Sequence, residues 1–215
     1  MKPVKRSFAW VISEDKYLDL DKVRKLRSVL KAIKNKAVRE NKFFPVRDWL
    51  MVELGLFAGL RVEEMVNLKT FDLYFKKEQS SLVVQKGKGN KSRVVYFSED
   101  FAKEVIWYLC WKDKSPAKSD YLFTNSNGRQ LTKRALQKAF KRCLKLADIG
   151  SNYSIHCLRH TYATHLLKSS QSNLTIVQNQ LGHASLRTTQ LYINVLGRDL
   201  KDAVENIYSN KTRRG

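Results

Sequence analysis

Hydrophobic positions in the first third of the chain recur three and four residues apart, the spacing of a helix with one buried face. Residues 19–41 show this pattern, with Asp19 or Asp21 as the capping aspartate, and residues 45–59 show it between an opening proline and a closing glycine. A short third helix is predicted over residues 62–68. Residues 1–18 lack the pattern, so we predict an irregular lead-in there.

Two segments in the middle of the chain are rich in β-branched and aromatic residues, which favours strands. They are Ser81–Gln85 and Arg93–Phe97, and between them lies KGKGNKS, a turn sequence rich in glycine and lysine. We therefore predict a β-hairpin with a basic tip. Asp72–Phe75 is a candidate for a third strand.

Helical spacing returns after the hairpin and continues towards the end of the chain. Ser98, Thr132 and Ser154 are predicted to cap the first three helices of this part. The six predicted helices cover residues 99–111, 133–147, 155–167, 174–182, 186–196 and 198–208. Together the elements predict a mainly α-helical fold with one small antiparallel β-sheet, which is the α+β class.

The charge of the chain indicates its class of partner. The formal net charge is +21 and the isoelectric point is near 10.0. Residues 51–100 are nearly balanced, with eight basic and seven acidic residues, whereas residues 121–147 hold seven basic residues and no acidic one. Because each phosphate neutralised by Lys or Arg releases condensed counterions, this clustered excess favours double-stranded DNA as the partner.

Composition disfavours several other classes of protein. No apolar run reaches the ~20 residues of a membrane span, and the chain does not open with a signal-peptide pattern. An anionic membrane surface would suit the charge, but no lipidation motif or amphipathic anchor accompanies it. Three widely separated cysteines indicate neither a disulfide framework nor a zinc site. We expect a cytoplasmic, DNA-associated protein that does not interact with a membrane.

Cleavage of a DNA phosphodiester without a metal ion needs three kinds of side chain. A nucleophile must attack phosphorus, fixed cations must stabilise the added negative charge, and an acid must protonate the leaving 5′-oxygen. The sequence contains neither a phosphate-binding P-loop nor a cluster of metal ligands. We therefore expect no metal and no cofactor, and we look for these roles among the side chains.

Four segments resemble the motifs of one enzyme family, and they occur in that family's order. They are GLRVEEMVNL at 59–68, GKGNKSR at 87–93, HCLRHTYATHLL at 156–167 and LGHASLRTTQLY at 181–192. Each segment alone is modest evidence, but four in order are specific. The chain thus resembles the tyrosine recombinase, or phage integrase, family over roughly residues 20 to 208. The resemblance implies that residues 19–215 are a catalytic domain that cuts and rejoins DNA through a 3′-phosphotyrosyl intermediate, without metal or ATP.

The resemblance assigns the cations and the acid of the reaction. Arg61 and Arg159 match the two arginines that clamp the scissile phosphate, and guanidinium groups can donate paired hydrogen bonds to its oxygens. Lys88, between two glycines, matches the lysine that acts as general acid. Lys86 and Lys91 are close competitors for that role, and the family register alone selects Lys88.

The remaining catalytic matches are two histidines, a glutamate and a tyrosine. His156 matches the residue that accepts the tyrosine's proton or bonds the phosphate, and His183 matches a donor to a non-bridging oxygen. Tyr192, nine residues after His183, matches the nucleophile, which needs nearby cations and a base because its pKa is ordinarily near 10. Glu64 matches an acidic residue that holds the site together, although a simple surface glutamate is an equal interpretation. His160 and Tyr162 are expected to pack.

Further basic residues are candidates for contacts with DNA. In helix 133–147 they form a stripe opposite the apolar face, although a solvated cationic face explains any single one equally well. The candidates for DNA binding are Lys86, Lys91, Arg93, Arg134, Lys138 and Lys141.

The chain departs from the family in one respect. Typical members carry an N-terminal core-binding domain, and we expect none in this sequence because residues 1–18 are too few for one. Either an excised catalytic fragment or a naturally short recombinase fits this expectation. The resemblance implies a homotetramer on two DNA duplexes, and we expect a monomer in the absence of DNA. Two alternatives stay open, namely DNA relaxation of the type IB topoisomerase kind and a non-catalytic DNA-binding regulator.

Overall fold

The computed structural model describes residues 16–77, 79–85, 92–114, 119–170 and 173–182. Within these ranges the helices are α1 (Leu20–Arg39), α2 (Phe43–Ala58), α3 (Val62–Asn67), α4 (Glu99–Asp113), α5 (Lys133–Leu146), α6 (His156–Ser169) and α7 (Leu174–Leu181). The strands are β1 (Leu73–Tyr74), β2 (Ser81–Val84) and β3 (Arg93–Tyr96). This architecture confirms the predicted mainly α-helical class with one small antiparallel sheet.

Helix α2 lies at the centre of the fold. Its residues are buried on almost every side, and it packs against α1, α4, α5 and α6. A helix with mostly apolar residues on every face is stable only in such an enclosed position. It begins two residues before the predicted Pro45, which lies in the first helical turn, where a missing N–H removes no helical hydrogen bond. The end of α2 is therefore held firmly at the site described below.

Side-chain caps begin several helices as the sequence predicts. Asp19, Ser98 and Thr132 each accept a backbone N–H from the first turn that follows. The prediction that Ser154 caps α6 is wrong. The helix begins after Ile155, which has no side chain that could cap it. Ser154 accepts the N–H of Cys157, but it does so with its backbone carbonyl.

The sheet is antiparallel in the order β1–β2–β3. Leu82 at its centre pairs with Leu73 on one side and Val95 on the other, so both the predicted hairpin and the candidate third strand are confirmed. Strand β3 also packs against α7, where the side-chain oxygen of Gln180 accepts the N–H of Tyr96 at 3.2 Å. The sheet is thereby joined to the C-terminal part of the described fold.

The last residue of the predicted irregular segment 1–18 packs into the core of the fold. Leu18 is fully buried, and its N–H donates to the hydroxyl of Thr161 on α6 at 2.8 Å. The predicted helices 186–196 and 198–208 lie outside the described residues. Among the helices that the structure describes, none is long and apolar enough to cross a membrane.

Candidate functional site

The turn between α2 and α3 carries the first arginine of the candidate site. Gly59 ends α2 with a φ of 58°, a left-handed conformation that glycine adopts without strain. A Cβ atom here would lie 2.3 Å from Cδ1 of Tyr162 on α6, so the close packing also requires glycine. Leu60 is buried under the turn, and Arg61, the next residue, is 27% exposed at its side chain. The turn therefore presents Arg61 towards solvent.

Glu64, one turn into α3, holds Arg61 through both its backbone and its side chain. Oε2 of Glu64 accepts the backbone N–H of Arg61 at 2.8 Å, as a glutamate in the first turn of a helix commonly does. Oε1 accepts from Nη1 of Arg61 at 2.7 Å. The Glu64 side chain is only 7% exposed, which excludes the simple surface glutamate that the sequence leaves open.

Arg93, the first residue of β3, faces the protein interior. Its Nη1 and Nη2 atoms donate to the two carboxylate oxygens of Glu64 at 2.7 and 2.8 Å, and its Nε donates to the carbonyl of Gln180 at 3.2 Å. The side chain is 11% exposed. The sequence predicts a DNA contact for Arg93, but the structure shows its guanidinium engaged with Glu64 and the end of α7.

Arg159, the second arginine that matches the family motif, is buried on α6. Its Nη1 donates to the carbonyl of Gly59 at 2.7 Å, and its Nη2 donates to the carbonyl of Leu181 at 2.8 Å. Nη1 also lies 4.0 Å from Oε2 of Glu64. Arg159 therefore joins the ends of α2 and α7, and one carboxylate lies within ion-pairing distance of it and of two further arginines.

The electrostatics of this cluster favour an anionic ligand. Burial alone raises the pKa of Glu64, but the paired guanidinium of Arg93 and the hydrogen bonds from Arg61 outweigh it and lower the pKa to about 2. The carboxylate is thus charged at neutral pH. Three guanidinium groups surround it, so the cluster has two positive charges in excess, and Arg61 is its most exposed member.

Two histidines and a tyrosine of α6, His156, His160 and Tyr162, differ in how deeply they are buried. His156 is exposed at the start of the helix, one turn before Arg159. Burial lowers the pKa of His160 to about 4, with His156 and Arg159 adding to the effect, so His160 is neutral at pH 7. Burial raises the pKa of Tyr162 to about 12, and its ring packs on Gly59. Both His160 and Tyr162 are packed side chains, as the sequence predicts.

Helix α5 presents a separate basic surface. Its apolar residues are buried against the core, while Arg134, Lys138 and Lys141 are all exposed. Lys141 donates to the carbonyl of Ser151, and the exposed Lys133 before them pairs with Glu63 of α3 at 2.9 Å. The pairing of Lys133 with Glu63 joins this basic face to the helix that carries Glu64.

Five of the predicted site residues lie outside the described residues. They are the hairpin lysines Lys86, Lys88 and Lys91, the histidine His183 and the tyrosine Tyr192. Their assignments stay predictions. In the sequence, the described residues Gln85 and Ser92 flank the segment of the three lysines, and Gly182 immediately precedes His183.

The anchoring role of Arg93 was missed by the sequence analysis, although the pattern contains a signal for it. In β3, Val95 is fully buried, whereas Val94 and Tyr96 are exposed. Because side chains alternate between the faces of a strand, Arg93 must lie on the same side as Val95. The period of two therefore predicts an inward arginine, which requires a buried acidic partner.

Comparison with known proteins identifies the family. Residues 16–198 match the Phage integrase family, and the chain belongs to that family. It is 39% identical to a tyrosine recombinase XerA of Pyrococcus horikoshii over 162 residues, which is 74% of this chain and 54% of that protein. It is 34% identical to a tyrosine recombinase XerD of Oceanobacillus iheyensis over 178 residues, which is 80% of this chain and 58% of that protein.

Solved structures of recombinases share the fold. A XerH site-specific recombinase bound to a palindromic difH substrate, in a post-cleavage complex, superposes with a TM-score of 0.73 at 27% identity, over 91% of this chain and 54% of that one. The XerA recombinase superposes with a TM-score of 0.72 at 26% identity, over 91% of this chain and 66% of that one. The chain spans about half the length of the relatives that it matches.

Replacing Glu64 with glutamine should lower the free energy of unfolding at neutral pH and change it less at acidic pH. The pKa of Glu64 is held near 2 in the folded protein against a usual 4.5, so its contribution is fully present above pH 4.5 and is lost as pH falls towards 2. We expect Glu64→Gln to lower the free energy of unfolding by roughly 3 kcal/mol at pH 7, with the difference from wild type shrinking below pH 4.5. Urea unfolding between pH 7 and pH 3 measures this difference.

Glu63 offers the matched control, because it is the adjacent residue and its ion pair with Lys133 is exposed. An exposed pair contributes little to stability, so Glu63→Gln should unfold at nearly the wild-type urea concentration at every pH. A Glu64→Gln variant whose stability stays parallel to that of wild type across this pH range would show that Glu64 is not held ionised by the arginines.

Proposed function

We propose that this chain carries out site-specific DNA strand exchange through a 3′-phosphotyrosyl intermediate. The observation that carries the proposal is the arginine cluster, in which Glu64 holds Arg61 and lies beside Arg159, two arginines far apart in the sequence. A phosphodiester gains negative charge in the transition state, and preorganised guanidinium donors are well suited to stabilise it. The family relationship supports the same reaction.

In the proposed reaction the site residues supply the nucleophile, the acid and the hydrogen bonds to the phosphate. Tyr192 attacks phosphorus, forming the tyrosyl–phosphate bond as the bond to the 5′-oxygen breaks. Lys88 gives its proton to that oxygen, while His156 takes the phenolic proton or bonds the phosphate and His183 donates to a non-bridging oxygen. A 5′-hydroxyl from another duplex then gives its proton back to Lys88 and attacks the phosphotyrosine, and the bond from phosphorus to Tyr192 breaks as the phenolic oxygen regains its proton. The phosphoester energy is kept in the covalent link, so no ATP is required.

Double-stranded DNA is the proposed partner, with α5 as part of its binding surface. The exposed Arg134, Lys138 and Lys141 form a one-sided basic face, which suits phosphate contacts and a few contacts with base edges. A XerH recombinase of the same fold has been solved bound to its difH DNA before and after cleavage. We further propose that the protein is a monomer without DNA and a tetramer on two duplexes.

A two-step experiment tests the proposed function. A library of nicked duplexes is incubated with the protein, and the sequences trapped as covalent adducts give the DNA site. Plasmids with two copies of that site are then incubated with the protein, and recombinant circles are the expected product. Relaxed circles without recombinants would favour a topoisomerase activity, and binding without any adduct would favour a non-catalytic regulator.

Removing divalent metal should leave cleavage unchanged. The proposed cations are protein side chains, chiefly Arg61, Arg159 and Lys88, so the transition state needs no metal charge. We expect the same rate of adduct formation in excess EDTA as in magnesium, measured on a nicked duplex by denaturing gel. Loss of cleavage in EDTA that magnesium restores would contradict this mechanism.

A further inference from the structure

We propose that Arg93 is a positioning residue of the active site, acting on the phosphate-binding arginines through Glu64. Arg93 lies on β3, far from α3 in the sequence, and it donates hydrogen bonds to both carboxylate oxygens of Glu64. The same two oxygens hold the backbone and side chain of Arg61. The inference rests on the proposed function, because it assigns Arg93 to the same reaction.

The geometry of Arg93 is that of a clamp. Two parallel N–H donors on two carboxylate oxygens fix the plane of the carboxylate, which a single-point ammonium cannot do. A carboxylate fixed in this way leaves Nη1 of Arg61 one direction in which to bond. Arg93 therefore determines the direction in which the Arg61 guanidinium points, although it lies behind Glu64.

A second contact joins Arg93 to the end of α7. Its Nε donates to the carbonyl of Gln180, one residue before Leu181, whose carbonyl accepts from Arg159. The last carbonyls of a helix have no partner within it, so these two arginines satisfy part of that end. Arg93 thus sets the position of the helix end that in turn holds Arg159.

Gly182 packs closely against the side chain of Arg93. It caps α7 with a φ of 63°, and a Cβ atom there would lie 2.4 Å from Cδ and 2.9 Å from Nε of Arg93. The arginine stem thus passes directly against the backbone at Gly182. The glycine of the LGH motif is explained by Arg93, since any larger residue would push the guanidinium away from Glu64.

Arg93→Lys is the test variant, because it keeps the charge and removes the fork. Arg27→Lys is its matched control, since Nε of Arg27 donates to both oxygens of another buried carboxylate, Glu53, at 3.0 and 2.9 Å. The Arg93 contact is a two-point fork and the Arg27 contact is made by Nε alone, but both variants weaken an arginine–carboxylate pair with a buried carboxylate and so report the general effect on stability. The rate of adduct formation is measured in a single turnover with enzyme in saturating excess over DNA, where a smaller folded fraction that still saturates the DNA does not change the rate.

Two DNA substrates distinguish positioning from a general structural role. One has the ordinary scissile phosphate, and the other has a methylphosphonate, which is neutral and depends less on a well-placed cation. With Arg93→Lys we expect roughly a 10²-fold slower rate on the phosphate and a clearly smaller deficit on the methylphosphonate. Arg27→Lys should show a small deficit that is equal on both. Equal deficits for Arg93→Lys on both substrates, or no deficit, would overturn the proposal.

A second measurement does not depend on catalysis. In ¹⁵N NMR spectra of the protein without DNA, the Arg61 guanidinium should show hindered rotation in the wild type and free rotation in Arg93→Lys. If Arg93→Lys does not fold, Arg93→Gln takes its place in the NMR comparison. If the wild type forms no adduct, the proposed function fails while the NMR comparison still decides on Arg93. Unchanged Arg61 signals in the variant would overturn the positioning role.

Discussion

Replacing Tyr192 with phenylalanine is expected to abolish the covalent protein–DNA adduct while leaving DNA affinity nearly unchanged. The substitution removes only the hydroxyl that attacks phosphorus and keeps the ring. Adduct formation on a nicked duplex, analysed by denaturing gel, measures the loss, and a gel shift at fixed salt measures the affinity. Salt must be held constant because phosphate contacts make binding strongly dependent on it.

Tyr162 is the control for this experiment. It lies on α6 three residues after Arg159, but its ring packs on Gly59 and burial raises its pKa to about 12, so the phenol is protonated and enclosed. Tyr162→Phe should therefore form the adduct at close to the wild-type rate. An adduct that persists in Tyr192→Phe, or that maps to another tyrosine, would remove Tyr192 from the role of nucleophile.

Replacing Arg61 with alanine is expected to slow cleavage by about 10²–10³-fold, the usual effect of removing one preorganised donor from a developing anion. The fold should tolerate the change, because the Arg61 side chain is partly exposed and, among the described residues, its guanidinium hydrogen-bonds to Glu64. Single-turnover adduct formation measures the effect. Lys133→Ala removes a nearby exposed cation that contacts Glu63 instead, and it should cleave normally.

A substrate with sulfur in place of the bridging 5′-oxygen separates the cation from the acid. Its leaving group departs without needing a proton, so the sulfur should rescue Lys88→Ala far more than it rescues Arg61→Ala. Equal rescue of the two variants would take the acid role away from Lys88 and direct the test to Lys86 and Lys91.

Patterns that act over a few residues predict this fold well. The aspartate, serine and threonine caps, the closing Gly59 and the β-branched strands of the hairpin all depend on neighbours in sequence, and the structure confirms each of them. The Ser154 cap fails because Ser154 and Ile155 can each precede the first turn, and local preference does not decide which residue does. The buried Ile155 occupies the position just before α6.

The candidate site is only partly predictable, for a related reason. Motif matches select Arg61, Glu64 and Arg159, and the structure brings these three together. They do not reveal that Arg93 clamps Glu64, because that contact joins residues 29 positions apart through the pairing of β3 with the rest of the fold. Because the chain has a large excess of basic residues, its sequence makes every arginine a candidate for a DNA contact. Only the burial of Arg93 distinguishes it from the exposed arginines.

The manner in which Arg159 is held bears on which substitutions the site can accept. It donates to two backbone carbonyls, at Gly59 and Leu181, and a carbonyl is present whatever side chain the residue carries. These two hydrogen bonds therefore do not depend on which side chains the two acceptor residues carry. What a redesigned or diverging sequence must preserve instead is the path of the backbone at two left-handed turns, and therefore the absence of a side chain at Gly59 and Gly182.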